Sequence, residues 1–248
     1  MSTLVLALAA GAVIGLALGA LGGGGSVLAV PALIYLLGFT PAAATTASLI
    51  IVTATSATAL YTHAASGDVR WKTGALFAAA GIVPAIAAAT LATRLPEAVL
   101  TAAFAAIAAL AALAMLRTPA ANPQPQPVRS VRAAGAGAGL GAVTGFLGVG
   151  GGFLAVPALV GVLGLRMRAA VGTSLLVITV NSLAALAARA GTSTPLDWAV
   201  IAPFTGAAIL GAWDGKRLAS KISGPTLQRI FAIVLLAVAA LMLTDALH

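Results

Sequence analysis

The groups best placed to do chemistry in this sequence belong to the backbone rather than to side chains. Residues 19–33, GALGGGGSVLAVPAL, return 126 positions later as residues 145–159, GFLGVGGGFLAVPAL, with 11 of 15 residues shared. Each copy sets a run of glycines inside apolar sequence: Gly22, Gly23, Gly24 and Gly25, followed by Ser26, in the first, and Gly148, Gly150, Gly151 and Gly152 in the second. Such a run frees N–H groups from helical bonding. Where a helix restarts after it, those groups and the positive end of the helix dipole form an anion-binding point without any charged side chain.

A second set of candidates is neutral: Thr45, Ser48, Thr173, Ser174 and Asn181, with Thr46 beside them. Hydroxyls and amides donate well to oxyanions. Ser48 and Ser174 are repeat-equivalent, Thr45 and Ser48 share a helical face at i, i+3, and Asn181 follows Ser174 at i+7. Asn181 is the one asparagine in an apolar run, where an unpaired amide is costly. Taken singly, each serine or threonine is as well explained by a bond to its own helix's carbonyls or by gluing helices together. Glycines also serve close helix packing. Their coincidence in both halves favours the site.

The elements that must carry these residues are membrane helices. Of 248 residues 61% are hydrophobic and 7% charged, and the mean hydropathy is +1.11, which leaves too little polar surface for a soluble globule. The net charge of +8 comes from basic residues at the ends of apolar runs, never interleaved with aromatics, so lipid headgroups rather than nucleic acid are the expected anionic neighbours. With no cysteine, and only His63 and His248, no disulfide and no metal or cofactor is expected. Residues 3–21 lack the positive n-region of a secretory signal, since no Lys or Arg precedes Arg70. They are therefore read as the retained first helix.

Apolar runs cover about 3–20, 26–38, 42–63, 73–93 and 96–117, then 133–147, 153–164, 169–190, 198–215 and 224–245. Landmarks recur at offsets of 126 or 127, from Ser48/Ser174 through Trp71/Trp198 to Met115/Met242, so the whole chain is a duplication. The predicted organisation is a first repeat over 1–117, a Pro/Gln/Arg-rich cytoplasmic linker over 118–132 and a second repeat over 133–248. The second run of each half is about a dozen residues, too short to cross about 30 Å of hydrocarbon.

If that run continues the first helix, the repeats are parallel and Lys/Arg divide evenly between the two sides. If it folds back as a hairpin, the repeats are inverted. Ten basic residues then share one side, and only Arg94 and Arg189 oppose them as interfacial anchors. The positive-inside rule selects the hairpin, with both termini extracytoplasmic and the 64–72, 117–132, 165–168 and 216–223 loops inside. The expected fold is an all-α polytopic membrane protein, an inverted repeat whose halves each hold a Gly-broken hairpin and three transmembrane helices. Each short helix then points its N-terminus to mid-membrane, with Pro31 and Pro157 in its first turns. Trp71, Trp198 and Trp213 fall at interfaces as anchors.

The GxxGxGGGxxxVP-type segment opening each of two halves, in a short apolar chain with a basic middle linker, resembles the TauE/SafE family of sulfite and organosulfur anion permeases. The second copy, Gly145, Gly148, Gly150, Gly151, Gly152 and Pro157, fits throughout; the first, Gly19, Gly22, Gly24, Gly25 and Pro31, differs by Ser26 in place of a glycine. The resemblance implies a secondary transporter of a small anion such as sulfite, a sulfonate or sulfoacetate in the bacterial inner membrane. Lipid and the anion are then the expected partners, and a homodimer is compatible with them. An anion channel could use the same helix ends. An enzyme is disfavoured, because no nucleophile with a base, metal cluster or carboxylate pair stands out.

Overall fold

The apolar runs become helices in a computed structural model that describes residues 3–92, 97–117, 130–147, 152–188 and 196–246. The first half gives α1 (Thr3–Leu21), α2 (Gly24–Pro31), α3 (Pro41–Ala65), α4 (Trp71–Ala92) and α5 (Glu97–Arg117). The second gives α6 (Ser130–Leu147), α7 (Gly152–Gly161), α8 (Met167–Ala188), α9 (Trp198–Lys221) and α10 (Gly224–Ala246). No strand occurs among the described residues. Among the described residues, five helices, α1, α3, α4, α8 and α10, are long and apolar enough to cross a membrane. Large apolar side chains such as Val13, Val83, Leu110, Leu210 and Leu241 are exposed on the outer surface, where hydrocarbon is the solvent that suits them.

Local chemistry sets the helix ends. Thr40 caps α3, its Oγ1 accepting from Ala43 N at 3.4 Å, with Pro41 at the first helical position. Asp197 caps α9 through Ala199 N at 3.0 Å. The short second helices end alike: Gly38 N bonds to Ile34 O and Phe39 N to Leu33 O, while Gly164 N bonds to Val160 O and Leu165 N to Leu159 O. Gly38 and Gly164 have φ of +69° and +65°, the left-handed C-cap that glycine adopts at least cost.

Two details differ from the expectation. Pro31 is not in the first turn of its helix but is the eighth residue of α2, where the α-helix gives way to a π-helical turn over Ala32–Leu36. Its missing N–H removes one i→i−4 bond at that hand-over. The ninth apolar run also does not stop at 215; α9 continues to Lys221 because Lys216, Arg217 and Lys221 are good helix formers.

The two halves interleave. The main neighbour of α1 is α9, and the main neighbour of α6, its repeat counterpart, is α4. Close approach depends on glycine. A Cβ at Gly11 or Gly15 would run into the backbone carbonyls of Phe204 or Ala208, and one at Gly137 or Gly141 into those of Phe77 or Gly81. These contacts are the same pair seen twice across the repeat, with small residues letting helix backbones touch. Phe77 and Phe204 are 1% and 0% exposed, which makes them matching plugs in the two interfaces. Self-paired helices complete the core, α3 with α8 and α5 with α10.

Helix ends carrying the positive charge gather at one end of the bundle. Lys216 donates to Thr62 O and Ser66 Oγ, Arg70 N donates to Thr173 Oγ1 at 3.0 Å, and Arg168 donates to Ser220 O at 2.9 Å. Gln228 Nε2 donates to Met115 O at 2.6 Å, which brings the end of α5 to the start of α10. The end of α3 therefore meets the start of α8. Further along, Ser56 meets Thr179, so α3 and α8 run antiparallel.

Candidate substrate site

The first glycine run breaks the backbone at the residues the sequence indicates, but level with the basic helix ends rather than at mid-membrane: Gly19 O lies 3.1 Å from His63 Nε2 near the end of α3, and Gly215, next to Lys216, packs on Leu16 and Ala20. Gly22 N still bonds to Leu18 O at 2.8 Å, but Gly22 takes φ +68°. Gly23 then serves as the N-cap of α2. Gly24, Gly25 and Ser26 form the first turn of α2. The break lies against the opposite half: a methyl group on Gly22 would fall 2.5 Å from Ser174 Oγ and 3.3 Å from Val171 O. Gly22 and Ser174, chosen from the sequence for different reasons, are thus neighbours. Gly152 begins α7. Gly148, Gly150 and Gly151, with Arg94, Arg189 and linker residues 118–129, lie outside the described residues.

The remaining candidates divide. Ser174 is 0% exposed and donates to Val171 O at 2.8 Å. Ser48 is buried and donates to Thr45 O at 2.9 Å, so each of this equivalent pair bonds one turn back in its own helix. Thr45 and Ser48 share the face expected of them, and Thr46 is buried next to it. Thr173, fully buried, spends its Oγ1 on the N–H of Arg70 and so ties the α3–α4 turn to α8. Asn181 is half-buried and has no hydrogen-bond partner among the described residues.

Several polar groups that periodicity did not single out are drawn into the same interior. Ser56 Oγ and Thr179 Oγ1 are 2.9 Å apart where α3 crosses α8. The Oγ1 atoms of Thr53 and Thr55 are buried without a partner, although such groups nearly always find one. His63 is 4% exposed and reaches Gly19 O with Nε2 at 3.1 Å. Asp214 pairs with Arg217, three residues on, at 3.6 Å on an exposed surface, while Lys216 turns inward to α3. Apart from the Asp214–Arg217 pair, sequence spacing signals none of these partners, which lie 44 to 154 positions away.

Elsewhere, a cavity of about 550 Å³ opens between α5, α6 and α7, lined by residues such as Ile107, Met115, Leu140, Leu154 and Pro157. Its walls offer an anion no side-chain donor. Among the described residues, the α1–α2 break with α3 and α8 brings a buried backbone turn and buried hydroxyls together.

A bundle of long apolar helices with a buried glycine turn among hydroxyls has the build of an integral membrane protein. The family described as sulfite exporter TauE/SafE matches residues 7–242, and the chain belongs to that family. It is 32% identical over 245 residues to a "Probable membrane transporter protein" of Xylella fastidiosa strain 9a5c, covering 96% of this chain and 94% of the relative. A protein of the same description from Xylella fastidiosa strain Temecula1 is 31% identical with the same coverage. No solved structure matches the chain.

Proposed function

We propose that the chain is a secondary transporter that moves a small anion such as sulfite, a sulfonate or sulfoacetate across the bacterial inner membrane by alternating access. The observation that carries the reading is the Gly22 break held against Ser174 of the other half. A site shared by two homologous halves is the arrangement that rocking transporters use. Backbone N–H groups at the start of α2 bind the anion at the basic end of the bundle, the start of α7 offers its own at the opposite end, since α1 runs with α9 and α6 with α4, and the hydroxyls of Thr45, Ser48, Thr173 and Ser174 with the amide of Asn181 line the route between them. A compact anion held by dipoles and hydroxyls needs no buried Lys or Arg, whose desolvation in hydrocarbon is expensive.

The halves are inverted in this reading. Support comes from the antiparallel course of α3 and α8, and from His63 meeting Gly19, which sets the ends of α1 and α3 at one level with α2 as the returning arm. It comes also from the charges. The basic ends of α3–α4, α5, α8 and α9 lie together, as the hairpin arrangement requires and the parallel one forbids. That end is the cytoplasmic one by the positive-inside rule, with both termini outside.

The test is flux into proteoliposomes loaded with sulfite, taurine or sulfoacetate in turn. Saturable uptake with counterflow of labelled against unlabelled anion is expected for at least one of them. Voltage-driven conductance without counterflow would replace the reading with a channel.

A further inference from the structure

The buried imidazole of His63 is held between a backbone carbonyl and a carboxylate. Its Nε2 is 3.1 Å from Gly19 O. A backbone carbonyl can only accept, so the hydrogen of the neutral ring is on Nε2 and Nδ1 carries the lone pair. That Nδ1 is buried without a hydrogen-bond partner and lies 3.9 Å from Asp68 Oδ2. Two acceptors therefore face each other beside a helix end. A proton on Nδ1 turns the pair into donor and carboxylate, with Nε2 still bound to Gly19.

The other charges around the ring are few. α1 and α2 contain no charged residue, and α8 as described contains only Arg168, which is turned to Ser220 O. α9 brings Lys216, whose ammonium is bound to Thr62 O and Ser66 Oγ, while Asp214 and Arg217 pair with each other on the surface. Asp68 is thus the anion facing His63 and Lys216 the cation.

The pair is wired to both sides of the substrate site. Gly19 lies three residues before the break at Gly22. The backbone of Asp68 packs on Gly172, where a Cβ would come within 2.8 Å of its carbonyl oxygen, and the next residues tie to Thr173 through the N–H of Arg70. A change at the ring thereby pulls on α1 and, through the α3–α4 turn, on α8.

We propose that His63 and Asp68 form a proton site that couples transport of the anion to the proton gradient, an inference that rests on the transporter reading above. The proton comes from the aqueous side of the α3–α4 turn, resides on Nδ1 against Asp68, and returns to water in the other state of the cycle.

The chain has two histidines, so H248Q protein labelled with [15N]histidine gives one imidazole. Expected are the Nε2–H tautomer at high pH and a doubly protonated ring as pH is lowered through the range of about 5 to 8 where histidines titrate. D68N abolishes that second protonation over the same range. A ring with its hydrogen on Nδ1, or one that stays neutral throughout, overturns the proposal.

In proteoliposomes with [35S]sulfite as probe, an imposed gradient of about one pH unit supports at most about tenfold accumulation per proton. The inside-to-outside ratio reached under the gradient falls to unity in H63Q, whose amide can still donate to Gly19 O, while its counterflow persists. An equal ratio in H63Q and the unsubstituted protein overturns the coupling. Absence of counterflow in the unsubstituted protein would instead strike the transporter reading for sulfite, and the imidazole titration still decides the proton site.

Discussion

Replacing Gly22 with alanine separates two costs that the structure allows to be estimated one at a time. At φ +68° any L side chain pays about 1–2 kcal/mol for the left-handed backbone. The methyl group would also stand 2.5 Å from Ser174 Oγ, and that hydroxyl is fully buried and bonded to Val171 O. Turning it away gives up a bond of about 0.5–1.5 kcal/mol. G22A should therefore lose about 2–3 kcal/mol of stability in all. Gly38 is the internal control, because it has the same φ, +69°, with nothing within 4 Å of its would-be Cβ. G38A carries the backbone cost alone. The gap between them, about 1 kcal/mol or about fivefold in the folding equilibrium, should close when Ser174→Ala is combined with G22A, as a double-mutant cycle measures. The assay is reversible unfolding in mixed micelles with increasing SDS. G22A no worse than G38A, or a gap untouched by S174A, would refute the placement of the break against α8.

The same logic gives further expectations. G15A should cost more than 2 kcal/mol by pushing α1 off the Ala208 carbonyl, whereas G206A, on the open side of α9, should gain about 0.5–1 kcal/mol from helix propensity; both are read in the unfolding assay. S56C/T179C should form a disulfide on mild oxidation and stop flux until reduced, since their oxygens are 2.9 Å apart and the chain has no other cysteine. Leucine at Gly24 or at Gly150 should abolish flux with insertion intact, and normal flux in both variants would contradict a site at the glycine runs. A reporter fused after His248 should read extracytoplasmic, and a cytoplasmic reading would remove the inverted arrangement.

Much of this was legible because hydrocarbon imposes long apolar helices and a duplicated sequence shows its own register. The runs 42–63 and 224–245 fall within a few residues of α3 and α10 for that reason. Gly22 was legible as a break because four glycines have little to hold them in a helix. The π-helical turn after Pro31 was not, since a proline one turn in and one at an α-to-π hand-over read alike in sequence. Thr173 stands among the neutral donors by its type, but the Arg70 N–H that its hydroxyl accepts comes from 103 positions away and is not legible from spacing. Nothing in the spacing points from His63 to Gly19, whose carbonyl comes from a helix 44 positions away. Pairings across that distance are set by which helices pack, and periodicity says only which face a residue occupies.

The interlocking of α1 with α9 has a consequence for how the protein is made. The glycine ridge at Gly11, Gly15 and Gly19 fits the backbone of Phe204, Ala208 and Ala212, a surface the ribosome delivers nearly 200 residues later. At about 5–20 residues per second that is about 10–40 s, during which the first helix waits in the bilayer with its grooved side against lipid or the insertion machinery. Biogenesis of this chain therefore ends with a late docking step. Substitutions along that ridge should slow maturation even where they spare the finished protein.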